Sequence, residues 1–225
     1  MPILRQLPRW AWFGGGLLAL IAGCINAVGY LCFRHQPVSH LTGTSTELGL
    51  SLARVDLHEI VHWTATLLSF LAGAASSGFI VQQRTLQLGR RYGLVLVLES
   101  LFLFAATPLI HRHMDLGIYL AVAACGLQNA MVSTYSGATF RTTHVSGIFT
   151  DLGIYVGQRL RGNDVDMLRI HVCLLVASNF IVGSALGAFG FSLMQERVLL
   201  IPAVITGVVG VLYALYRHFL LPRST

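Results

Sequence analysis

Apolar positions fall into six long runs separated by short polar stretches. Trp10–Phe33, Val61–Val81, Tyr92–Ile110, Leu116–Ala138, Ile170–Met194 and Val198–Leu221 each approach or exceed the roughly 20 residues that a helix needs to cross a bilayer. Two further apolar stretches, Leu41–Ala53 and Val145–Val156, are too short. A helix of about 13 residues reaches about 20 Å, against a hydrocarbon core of about 30 Å. The pattern therefore predicts six transmembrane helices and two half-helices that enter the membrane and return. The alternating pattern of an outer-membrane barrel is absent from the sequence.

The two short segments are copies of one another. His40-Leu-Thr-Gly43-Thr-Ser-Thr46-Glu47-Leu48-Gly49 returns 104 positions later as His144-Val-Ser-Gly147-Ile-Phe-Thr150-Asp151-Leu152-Gly153. Upstream, Gly23-Cys-Ile-Asn26-Ala27 returns as Gly126-Leu-Gln-Asn129-Ala130 at an offset of 103. Ser69-Phe-Leu-Ala-Gly73 lines up with Asn179-Phe-Ile-Val-Gly183, and both run on into small residues that let helix backbones approach closely. An internal duplication thus organises a single membrane domain, residues 1–225, into repeats at about 10–110 and 115–221. Because the first run carries the same Gly/Asn/Ala signature as the fifth, it reads as a retained helix rather than a cleaved signal.

Parity then sets the topology. Half-helices that do not cross leave three crossings per repeat, which inverts the second copy; half-helices that do cross give eight helices in two parallel four-helix repeats. Arginine decides between them, since the chain's formal charge of +6 contains no lysine. With six crossings and cytoplasmic termini, only Arg34, Arg54, Arg112 and Arg197 fall outside. Eight crossings would move Arg84, Arg90, Arg91 and Arg141 outside, so the positive-inside rule favours six. Charged residues are 11% of the chain and hydrophobic ones 55%, far from a soluble composition. The arginines cluster between apolar runs, which suits headgroups and orientation rather than nucleic acid. Cys24, Cys32, Cys125 and Cys173 lie within apolar runs without metal-type spacing and read as packing residues.

Chemistry concentrates in the duplicated motif. His40, Gly43 and Glu47, and likewise His144, Gly147 and Asp151, share one helix face at a spacing of seven. The glycine would leave room for a ligand or a facing helix, and the acid, two turns deeper, could hold a proton or balance a cation. A half-helix start carries free N–H groups and about half a positive charge, which favours an anion or a dipolar solute. Thr42, Thr46, Ser146 and Thr150, with Asn26 and Asn129 from the long helices, complete an expected substrate or ion path. Short, glycine-interrupted segments at matching places in two repeats mark transporter binding sites. The structural alternative has the hydroxyls bonding backbone carbonyls, the histidines capping the turn and the acids tying the halves together. Glu99, alone in the third run, is a candidate proton site. His58-Glu59-Ile-Val-His62 matches the zinc-peptidase pattern HExxH, but no third ligand stands in a recognisable motif and the match does not recur in the second repeat.

Asn129-Ala130, Arg141-Thr142-Thr143-His144-Val145-Ser146-Gly147 and Thr150-Asp151-Leu152-Gly153 together resemble the YoaK-like family of bacterial membrane proteins. Its members are of unknown function and are often labelled small-molecule permeases. The first copy departs from the motif, with Pro37-Val38 in place of Arg141-Thr142. The expectation is a multi-pass protein of the bacterial inner (cytoplasmic) membrane, not an enzyme, with both termini cytoplasmic. It would move a small solute or ion, with protons as a candidate coupling ion, and its partners would be the bilayer and that solute. No cofactor, metal or nucleic acid is expected, and a homodimer is compatible with so small a chain. A structural or sensory membrane protein is the alternative, and an intramembrane zinc peptidase a more distant one.

Overall fold

Asp56 accepts hydrogen bonds from the backbone N–H groups of His58 and Glu59, and Asp166 accepts one from Leu168. These caps start two long helices about a turn before their apolar runs begin. The computed structural model describes residues 9–32, 37–81, 91–136 and 141–219. It contains α1 (Arg9–Cys32), α2 (Leu41–Arg54), α3 (Leu57–Ile80), α4 (Tyr92–His111), α5 (Asp115–Tyr135), α6 (Val145–Leu160), α7 (Met167–Met194) and α8 (Leu200–Phe219), with a 3-10 turn at Gln195–Leu199. Among the described residues the fold is all-helical. The expected ends at Phe33, Ala138 and Leu221 lie outside them, as do Arg5, Arg34, Arg84, Arg90 and Arg223 of the charge argument.

Five stretches are long and apolar enough to cross a membrane: Trp10–Cys32, Leu57–Ile80, Tyr92–His111, Asp115–Thr134 and Met167–Tyr216. The fifth spans 50 residues, about 75 Å if it were one helix. It is broken at Gln195, whose φ of 54° ends α7, so α7 and α8 are separate elements. The short helices α2 and α6 have 14 and 16 residues, about 21 and 24 Å. Neither is long enough to cross alone. Phe13 and Phe79 are 77% and 82% exposed, and exposed leucines and valines follow them along α3, α7 and α8. Apolar surface on this scale belongs against lipid.

Two close helix pairs and one antiparallel pair build the interior. In α1 and α7, Gly183 lies against Leu20 and Gly187 against Cys24, so the helices run in the same direction. In α3 and α5, His62 meets Tyr119 and, further along both, Gly73 lies against Ala123. α4 and α8 run oppositely. His111 at the end of α4 donates from Nδ1 to Glu196 just ahead of α8, at 2.7 Å, while Gly93 at the start of α4 meets Gly210. The Ser100 hydroxyl donates to the Ala203 carbonyl between these ends, at 2.7 Å. α1 and α5 are the most enclosed helices, whereas α2 and α6 pack mainly on α3 and α7 respectively.

Candidate functional site

Ser39 fixes where α2 begins. Its N–H and its hydroxyl both donate to Asn26 Oδ1, at 3.0 and 2.9 Å. Asn26 stands six residues before the end of α1, so the chain passes Cys32 and comes back by about 9 Å before α2 starts. From there α2 runs outward to the start of α3. The matching Asn129 likewise stands six residues before the end of α5, but its Oδ1 is buried with no hydrogen-bond partner.

The starts of α2 and α6 meet at one cavity of about 770 Å³. Its walls pair up under the offsets of the duplication: Asn26 with Asn129, Ser39 with Thr143, His40 with His144, Thr42 with Ser146, and Phe70 with Phe180. Pro37 faces Arg141, the one pair that differs in charge. Among the described residues, no carboxylate lines the cavity. Arg141 donates to His144 Nδ1 at 3.2 Å, and since guanidinium has no acceptor, that ring nitrogen accepts.

Six of the residues expected on the path therefore stand together: Asn26, His40, Thr42, Asn129, His144 and Ser146. The others lie elsewhere. A methyl group on Gly43 would strike the ring of His40 at 2.6 Å, and one on Gly147 the ring of His144 at 2.7 Å. The space these glycines open is taken by the histidine ring that begins their own helix, rather than by a ligand or a facing helix. The histidines occupy the N-cap positions but make no side-chain capping bond, which leaves their rings at the cavity wall. Because α2 and α6 lead away from the cavity, the acids lie about two turns outward instead of deeper. Glu47 is half-buried on α2, and Thr46 beside it donates to the Thr42 carbonyl. Asp151 and Thr150 are exposed and line a second cavity of about 360 Å³. Thr150 also donates to the Ser146 carbonyl, so the backbone-bonding role of these hydroxyls is real at both positions.

Arg141 and His144 line both cavities and so separate them. The second cavity is floored by Val172, Cys173 and Val176 of α7. The residues 110 positions earlier on α3 are His62, Trp63 and Thr66, all buried. His62 and Trp63 are much bulkier than the valine and cysteine at the matching positions of the other half.

Glu99 is fully buried in α4, away from the central cavity, and neither of its oxygens has a hydrogen-bond partner. In the HExxH stretch, His62 is buried with Nδ1 3.1 Å from the Tyr119 hydroxyl and 3.6 Å from Asp115, while His58 is exposed. Among the described residues, no group of three or more His, Cys, Asp or Glu is placed to hold a metal. The stretch is the first turns of α3, where Asp56 caps and Glu59 complements the helix dipole.

Sequence reasoning missed Ser39, Thr143, Phe70 and Phe180 as cavity residues. Their signal was present: Ser39 and Thr143 directly precede the aligned histidines, and the phenylalanines occur in a match credited to packing alone.

Fold and site together define a helical, membrane-type protein with a polar cavity at the meeting point of two short helices. The chain belongs to the DUF1275 family, proteins of unknown function, which it matches over residues 15–212. That agrees with the YoaK-like resemblance of the second-half motif. No curated protein and no solved structure matches the chain.

Proposed function

We propose that the chain is an inner-membrane permease for small anionic or strongly dipolar solutes, built as two inverted three-helix repeats with a half-helix in each. The antiparallel packing of α4 on α8 supports the inversion, because eight crossings in parallel repeats would make these two helices parallel. The parallel pairs α1/α7 and α3/α5 fit either count.

One observation carries the choice of solute. Among the described residues, the cavity is lined by two half-helix starts, two histidines, one arginine, amides and hydroxyls, with no acid among them. Two positive helix ends meeting in one space attract negative charge and repel cations. Asn129 adds a side-chain amide to this wall. The route continues past Arg141 and His144 into the second cavity, in the direction in which α6 leads away from the central one.

Vesicle swelling tests this reading. Proteoliposomes are challenged with formate, lactate, glycerol, urea and choline, against protein-free vesicles. Entry of at least one anionic or neutral solute, with choline excluded and entry lost in Arg141→Gln or Asn129→Leu, is the expected result. Entry of choline alone, or of none of the five, contradicts it.

A further inference from the structure

Three buried oxygens lack a donor: Glu99 Oε1 and Oε2 on α4, and Gln128 Oε1 on α5. Cys125 of α5 is within electrostatic reach of Glu99, and Gln128 follows it by one turn on the same helix. The amide of Gln128 donates to the Leu18 carbonyl at 2.6 Å and to the Thr142 hydroxyl at 3.4 Å. Thr142 is fully buried, and its neighbours Arg141 and Thr143 line the central cavity. Hydrogen bonding thus leads from Gln128 to Thr142 beside the cavity wall, and Glu99 acts on Cys125, one turn before Gln128 on α5.

The other half of the molecule does without it. The contacts of Gly93 with Gly210 and of Ser100 with Ala203 exchange under an offset of 110, which sets Glu99 opposite Val209. By the offsets of the duplicated motifs, Gln128 corresponds to Ile25 and Thr142 to Val38. Valine, isoleucine and valine therefore serve where glutamate, glutamine and threonine stand. The fold does not require the polar set. An ionised carboxylate enclosed without a partner would cost several kcal/mol, so a merely structural role is unfavourable.

We propose that Glu99 is a proton-binding carboxyl communicating with the central cavity through Gln128 and Thr142, so that solute moves together with a proton. The proton forms an O–H bond on one Glu99 oxygen, which turns that oxygen from an acceptor into a donor, and that bond breaks when the proton leaves with the solute. Few other groups compete for it. Cys125 is the ionisable neighbour on α5, and the α8 positions packed on this part of α4, Ala203 and Gly207, carry no charge. α3 has its ionisable residues, His58, Glu59 and His62, in its first two turns. Glu196, ahead of α8, is bonded to His111 at the far end of α4.

The coupling rests on the permease reading, whereas proton binding at Glu99 does not, and the test separates them. The full chain in lipid vesicles is treated with dicyclohexylcarbodiimide, which attacks protonated carboxyls in apolar surroundings, and the adducts are located by mass spectrometry at acid and alkaline pH. An adduct at Glu99 that forms faster at acid pH supports the proton site; no adduct at either pH overturns it. An internal pH dye then reports proton movement driven by a gradient of whichever solute the swelling assay admits. Wild type should acidify the lumen as solute enters, and Glu99→Gln should not. Solute entry without proton movement in wild type overturns the coupling, and absence of any solute entry overturns the permease reading while leaving the adduct result to stand. The triple variant Glu99→Val, Gln128→Ile, Thr142→Val copies the other half's packing, which guards against a folding defect in the single variant. It should also move solute without protons; proton movement persisting in it overturns the proposal.

Discussion

Gly23 of α1 lies directly against the carbonyl oxygen of Phe180 of α7, with no space between them for a methyl group. Gly126 of α5 meets the carbonyl of Phe70 of α3 in the same way. The two contacts are one contact seen twice, since the duplication carries Gly23 to Gly126 at an offset of 103 and Phe70 to Phe180 at an offset of 110. Alanine at either glycine should cost about 1–3 kcal/mol by forcing the helices apart. By contrast, Gly49 and Gly153 sit mid-helix with nothing within 4 Å. Alanine at these should stabilise by about 0.5–1 kcal/mol. Thermal unfolding in detergent would read both signs.

Val55 ends α2 in the left-handed conformation, with φ of 56°, where a branched side chain is strained. At the end of α6 the same job falls to Gly162, with φ of 85°. The two ends share their bonding: Asp56 N–H donates to Ser51, and Asn163 N–H to Gln158. Val55→Gly should therefore stabilise the protein by about 1 kcal/mol. An unfolding temperature equal to or below wild type would contradict this.

Asn26 and Asn129 occupy matching places but do different work. Asn26 holds Ser39 by two hydrogen bonds, and Asn26→Leu leaves both donors without an acceptor, at a cost of about 1–3 kcal/mol. The Asn129 oxygen holds nothing, so Asn129→Leu should be the milder change for stability and the more damaging one for solute entry. Melting curves and swelling rates of the two variants, compared side by side, should rank them in opposite orders.

Cys173 stands where the first half carries Trp63. Cys173→Trp should fill the second cavity and remove most solute entry, with the protein still eluting as a folded species from a sizing column. Unchanged entry in a folded variant would mean that solute does not pass that way.

Much of this arrangement was legible in the residues. The two short segments, their shared motif and their starting positions came directly from the repeat, because a half-helix too short for the bilayer is a matter of length. Helix starts at Leu57 and Met167 were placed late because hydrophobic runs mark burial, whereas Asp56 and Asp166 mark the cap. The heptad spacing aligned His40 with Glu47 correctly but was silent on direction. Only the Ser39–Asn26 bonds reveal that α2 begins beside Asn26, before the end of α1, and leads away from the cavity with its acid. The roles of Gly43 and Gly147 were hidden for a related reason, since the folding of a histidine over the next turn leaves no trace in spacing. Glu99 was visible as a lone acid, but Gln128 and Thr142 joined it only once α4, α5 and the approach to α6 had packed.

Inversion of the two halves is the claim on which the cavity's electrostatics depend, and the turns after the half-helices test it directly. Val55→Cys and Asn163→Cys, each in a background lacking the four native cysteines, are exposed to a membrane-impermeant maleimide in sealed vesicles of known orientation. Two inverted repeats require that one position react from outside and the other only after the membrane is opened. Reaction of both from the same side would mean that α2 and α6 traverse the bilayer, and the shared cavity of two opposed helix starts would have to be abandoned.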